Sequence, residues 1–92
     1  MNPIIAHQIL KNCLNSNITL YREVDHKIRY YSLKLYPTLF EEVILERSFG
    51  SVKNKKPTRI IKEYFFHIED AFRELEIVLR SKLAKGYINY KD

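Results

Sequence analysis

Apolar and polar residues alternate through the middle of this chain and change period near residue 68, and that change sets the expected fold. From 18 to 24, β-branched and aromatic content with period-2 alternation predicts a strand carrying Ile18, Leu20 and Val24 on one face. Asp25-His26-Lys27 reads as a turn. Residues 28–36 alternate again, with Tyr31, Leu33 and Leu35 on one side and Tyr30, Ser32 and Lys34 on the other. Pro37 lacks the amide donor that a ladder needs and closes this strand. After a loop through Phe40, a third strand is expected from Val43 to Ser48, with Gly50 ending it. A polar hairpin loop, 51–57, leads to a fourth strand over 58–65, which sets Ile61 and Phe65 opposite Ile60 and Tyr64. Four strands in succession imply an antiparallel sheet.

From Ile68 the period lengthens to 3.6, and Ile68, Phe72, Leu75, Val78, Leu79 and Leu83 form one face of a long amphipathic helix. Glu69 and Asp70 in its first turn and Lys82 and Lys85 in its last suit the helix dipole, and Gly86 suits a left-handed C-terminal cap. Glu69/Arg73 and Glu76/Arg80 are spaced for i,i+4 pairs. At the other terminus, Asn2 as a cap and Pro3 at the first helical position predict a short helix over 2–14. Its apolar positions, Ile5, Ile9 and Cys13 with Leu10 and Leu14, need a partner surface on this domain or on another chain. The expected fold class is α+β: an antiparallel sheet of about four strands, one long C-terminal helix packed across it and a short N-terminal helix. The expected organisation is an N-terminal helical extension, 1–17, and one domain, 18–92.

Composition supports a single ordered domain. The 92 residues are 46% hydrophobic, with seven Tyr, five Phe and no Trp, and a chain of this length buries about 60 to 65% of its unfolded surface. The one cysteine, Cys13, has no internal disulfide partner, and residues 1–14 lack the basic start and unbroken apolar core of a secretory signal. The expected compartment is reducing, most simply the cytoplasm. No stretch approaches the roughly 18 apolar residues of a membrane-spanning helix, so no membrane partner is expected.

Charge changes the picture more. The formal net charge is +5 and the pI about 9.4, and the excess is concentrated: Arg47, Lys53, Lys55, Lys56, Arg59 and Lys62 lie in a window without a single acidic residue. Phosphates are the natural ligand for such a cluster. A solvated hairpin tip has the same composition. Phe49, beside Gly50 at the head of the loop, either stacks on a base or sugar or belongs to the core. The candidate nucleic-acid-binding residues are therefore Arg47, Phe49, Gly50, Lys53, Lys55, Lys56, Arg59 and Lys62. Tyr30, Tyr31, Tyr36 and Tyr64 either form a stacking platform on the sheet or are half-buried sheet residues. Catalysis finds no constellation. His7, His26 and His67 fall on different elements, Cys13 has no evident base, two glycines cannot build a phosphate-cradling loop, and Glu41-Glu42 reads as a solvated turn. The expectation is no enzyme, no metal, no cofactor and no small-molecule substrate.

Several strings occur in an order that resembles a bacterial WGR domain. They are Leu20-Tyr21-Arg22; Arg29-Tyr30-Tyr31-Ser32-Leu33-Lys34-Leu35 with its tail Tyr36-Pro37-Thr38-Leu39-Phe40; Glu46-Arg47-Ser48-Phe49-Gly50-Ser51; and Lys82-Leu83-Ala84-Lys85-Gly86-Tyr87. The resemblance runs from Leu20 to Tyr87, and it departs on the naming motif, where this chain has Phe49-Gly50-Ser51 in place of Trp-Gly-Arg. In poly(ADP-ribose) polymerases the family's Trp packs on sugar at a DNA end and its Arg bridges to neighbouring domains. The resemblance thus implies nucleic-acid binding more strongly than signalling to a catalytic domain, because Ser51 cannot supply the cationic contact. Two readings follow. The first is a non-catalytic nucleic-acid-binding module, DNA favoured over RNA, that contacts backbone or ends through the basic hairpin. The second is a protein-interaction adaptor, a degenerate WGR domain acting in a complex or as a homodimer through the N-terminal helix or the sheet.

Overall fold

Residues 16–89 are described by a computed structural model. The first strand, β1 (Ser16–Val24), pairs antiparallel with β2 (Lys27–Pro37), and Val24 stands opposite Lys27. Asp25 and His26 therefore form a two-residue turn, and both have positive φ, 51° and 65°. That geometry gives the connection the same twist as the strands it joins. The third and fourth strands, β3 (Val43–Ser51) and β4 (Arg59–Phe65), complete a sheet in the order β1-β2-β3-β4. The single helix described, α1 (Ile68–Ala84), follows directly. The architecture is α+β, and the N-terminal helix expected over 2–14 lies outside the described residues.

Gly50 does not end β3, contrary to the sequence expectation. The ladder runs on because β2 is long enough to partner it, with Tyr30 opposite Gly50 and Arg29 opposite Ser51. What the glycine supplies is room. The Thr58 N–H donates to the Phe49 carbonyl at 2.8 Å, and a Cβ on Gly50 would stand 2.9 Å from the Thr58 nitrogen. Any side chain there would force the returning strand outward.

Alternation sorts the sheet into two faces. Leu20, Tyr31, Leu33, Leu35, Val43 and Leu45 are buried on the inner face, where most of them pack with Ile68, Ala71, Leu75 and Val78 of α1. Ala71 is fully buried, a small residue where the helix approaches the sheet, and Phe72 and Leu79 close the sides of the core. Leu83, expected on the buried stripe, is 48% exposed, because the last turn of the helix runs out beyond the core. His67 stands at the N-cap in an extended conformation without a side-chain cap bond. Arg73 pairs with Asp70 at 3.1 Å rather than with Glu69, while Arg80 pairs with Glu76 at 2.6 Å as its spacing predicts. Gly86 takes the left-handed conformation, φ 99°. Beyond it the chain turns back to β1, where Ile88 and Tyr21 exchange backbone hydrogen bonds of 2.8 and 2.9 Å. Among the described residues no helix is long and apolar enough to cross a membrane.

Candidate nucleic-acid interface

The register brings two hairpin tips to one end of the sheet. Arg22 of β1 is opposite Arg29 of β2, which is opposite Ser51 of β3, and Phe49 is opposite Arg59 of β4. The β1–β2 turn and the 52–58 loop thus lie side by side. The longer loop is held at its base, where Val52 N–H donates to Ile28 O and Asn54 N–H to Ser51 O, both at 3.0 Å. Its cations, Lys53, Lys55 and Lys56, are exposed, as is Arg59 at the start of β4. Arg22, Lys27 and Arg29 are exposed on the neighbouring hairpin. None of these seven joins an ion pair among the described residues.

The end of α1 adds to the same corner. A Cβ on Gly86 would lie 3.6 Å from Arg22 Nε, so the helix terminus sits against the β1 arginine. Lys82 Nζ lies 4.4 Å from the centroid of the Tyr31 ring, within the range of a cation–π contact. Burial, and then the neighbouring charges of Lys85 and Arg47, lower its pKa below that of an ordinary lysine. Cation is pressed against cation here.

Phe49 is half-buried and stacked on Tyr31, with ring centroids 5.2 Å apart and planes 3° from parallel. Tyr87 meets Tyr31 edge-on at 6.1 Å. Tyr31 is itself only 3% exposed, so this aromatic group closes the end of the core beneath the basic corner. Phe49 borders the cations and is partly committed to packing.

Two of the sequence candidates stand apart from the exposed group. Arg47 lies between Tyr31 and Glu63, with Nη2 2.9 Å from Glu63 Oε1 and Nη1 donating to Tyr31 Oη at 3.4 Å. The ion pair is short but off the hydrogen-bonding angle, since Arg47 Nε and Glu63 Oε1 are both buried without a hydrogen-bond partner. Lys62 is on the opposite face of the sheet, 3.9 Å from Glu46. The tyrosines divide likewise: Tyr30, Tyr36 and Tyr64 share the outer face, whereas Tyr31 points into the core. The members that charge clustering missed are Arg22, Lys27, Arg29, Lys82 and Lys85. Strand parity combined with the tight turn at Asp25-His26 was the available signal for Arg22 and Arg29, because it sets them opposite each other on one face.

On the outer face, Tyr36 Oη donates to Glu46 Oε1 at 2.9 Å. Burial first, then the hydrogen bond and charge of Glu46, push the Tyr36 hydroxyl from 10.0 up to about 12. A raised folded-state value means that the neutral phenol stabilises the fold fully below pH 10.0, and that this contribution is lost as pH rises towards about 12. Tyr36→Phe is therefore expected to remove the latest component of an ultraviolet tyrosine titration. If that component persists in the variant, another tyrosine carries it.

No protein-family model, curated protein or solved structure matches the chain.

Proposed function

We propose that this chain is a non-catalytic nucleic-acid-binding module that grips phosphate backbone with the paired hairpin tips. The carrying observation is the set of cations from two hairpins, Arg22, Lys27 and Arg29 beside Lys53, Lys55, Lys56 and Arg59, gathered at one end of the sheet and in no ion pair among the described residues. Acidic residues collect at the other end, where Glu41, Glu42 and Glu69 border one cleft. Such polarity orients the molecule on a polyanion before contact. The stacked Phe49 leaves limited ring surface for bases, so backbone contact dominates and sequence preference is weak. The WGR resemblance favours DNA and its ends over RNA.

Fluorescence anisotropy with nicked, blunt-ended and single-stranded DNA at a series of salt concentrations tests this reading. Each phosphate contact contributes about 0.9 to the log–log salt slope on duplex and about 0.7 on single strands. A slope equivalent to several contacts is expected. Absence of binding at low salt refutes the proposal.

A second reading, the interaction adaptor, is favoured by apolar residues at the acidic end. Leu39 is 97% exposed, and Phe40 and Phe66 are each 80% exposed. The loop that presents Leu39 and Phe40 is braced by Thr38, whose Oγ1 accepts from the Phe40 and Glu42 amides at 3.2 Å each. If this surface mediates self-association, light scattering will show a dimer that Phe40→Ser together with Phe66→Ser converts to monomer. A monomer at every concentration removes the homodimer form of this reading.

A further inference from the structure

Each end of the sheet carries an apolar centre inside a charged rim, and the two rims have opposite sign. At the hairpin end Val52 and Ile28 are 52% and 48% exposed. The Val52 amide donates to the Ile28 carbonyl at 3.0 Å, so the two residues are neighbours across the paired hairpins. Around them stand the exposed cations of both hairpins, with Glu23 and Asp25 as the acidic residues of that end. At the opposite end Leu39 and Phe66, 97% and 80% exposed, border a cleft with Glu41, Glu42 and Glu69. None of these carboxylates joins an ion pair among the described residues. At about 670 Å³, the cleft lies within the range of about 300–1,000 Å³ in which sites take a ligand, so it has room for more than one side chain.

An apolar centre within a polar rim is the anatomy of a protein–protein contact, and the sign of the rim selects which surface meets which. Like ends repel here, cation against cation at the tips and carboxylate against carboxylate at the clefts. Unlike ends attract. β2 crosses from one end of the sheet to the other in 11 residues, a length of about 33 Å, so a hairpin tip cannot reach the cleft of its own chain.

We infer that the 52–58 loop of one copy, with Val52 and Ile28 as its apolar centre and its lysines as rim, docks in the Leu39–Phe66 cleft of a second copy and joins the molecules head to tail. The inference deepens the interaction reading of the acidic end and rests on it. A contact between unlike surfaces leaves one tip and one cleft free, so it adds further copies rather than closing. The lysines of the tip are also those that grip phosphate in the leading reading, so a polyanion and a neighbour's cleft compete for the same loop.

One loop in one cleft is a small interface, and such contacts are weak. Sedimentation velocity is therefore run up to the highest soluble concentration, with no nucleic acid present. At about 0.05 M salt the chain is expected to form a dimer that extends as concentration rises, and at about 0.5 M, where the screening length shortens to about 4 Å, to return to monomer. Val52→Ser with Lys53→Ser, Lys55→Ser and Lys56→Ser removes the tip, and Leu39→Ser with Phe66→Ser removes the cleft. All six positions are exposed, and circular dichroism checks that both variants fold. Each variant alone is expected to be monomeric, whereas their equimolar mixture is expected to form a one-to-one complex that grows no further, since one working tip and one working cleft remain. Four results overturn the inference: a parent that is monomeric throughout or stops at a closed dimer; a tip variant that associates with itself; a cleft variant that does so; or a mixture that stays monomeric. Should the cleft variant fail to fold, Leu39→Ser alone takes its place in the same mixture. Because the mixture contains no nucleic acid, a failure of the DNA-binding test leaves this result standing, and the two readings fall separately.

Discussion

Changing Lys53, Lys55 and Lys56 together to Glu is expected to abolish DNA binding at moderate salt and leave the fold intact. All three side chains are exposed on the 52–58 loop and none is in an ion pair among the described residues, so no described ion pair is lost. Stability should stay within about 0.5 kcal/mol of the parent, as for most surface changes. Binding loses three phosphate contacts and gains three repulsions, so the salt slope on duplex should fall by about 2.7, at about 0.9 per contact, and affinity should drop by more than a hundredfold. Lys62→Gln is the matched control. It removes a cation that the same stretch of sequence contains but that faces the other way, 3.9 Å from Glu46, and its slope should match the parent's. If the triple variant keeps the parental slope, the hairpin is not the contact surface, whatever the protein binds.

The largest stability effect is expected at Leu45. Its side chain has no solvent exposure, and it occupies a central strand in register with Leu35, beneath the helix. Leu45→Ala should cost about 2–5 kcal/mol, transfer and cavity terms together. Small domains have about 5–15 kcal/mol in total, and in one of this size each kcal/mol moves the melting temperature by about 4–8 °C. A fall of about 8 °C or more in Tm is therefore expected, readable by calorimetry. Leu39→Ala, at a position 97% exposed, should change the midpoint hardly at all. Equal effects at the two positions would mean that the core described around Leu33, Leu35 and Leu45 does not carry the fold.

The strands, their order and the amphipathic helix were legible because each rests on a local period. Alternation alone grouped Tyr31, Leu33 and Leu35 on one side of β2, and the structure shows that side to be the buried one. The site was less legible because charge clustering counts neighbours along the chain, whereas a strand sends neighbours to opposite faces. Arg47 and Lys62 entered the cluster through sequence proximity, yet one leans on Glu63 and the other faces Glu46. The acid-free window from Arg47 to Lys62 is bounded by those very carboxylates, and only the β3–β4 register reveals that they reach back into it. Arg22 and Arg29 were invisible to clustering for the converse reason: six residues separate them along the chain and one strand spacing separates them in the sheet. Phe49 could not be settled from sequence, since both stacking and packing use the same ring.

The return of the chain to β1 also bears on solubility. By exchanging two hydrogen bonds with Tyr21, Ile88 occupies part of the row of donors and acceptors that would otherwise stand open along that margin, and an open margin is a template for sheet growth from one molecule to the next. Among the described strands β4 forms the other margin, and it carries Arg59, Lys62 and Glu63, charges that an incoming strand would have to desolvate. The molecule thus covers part of one border with its own backbone and marks the other with charge, and both features disfavour sideways growth of a sheet rich in tyrosine and isoleucine.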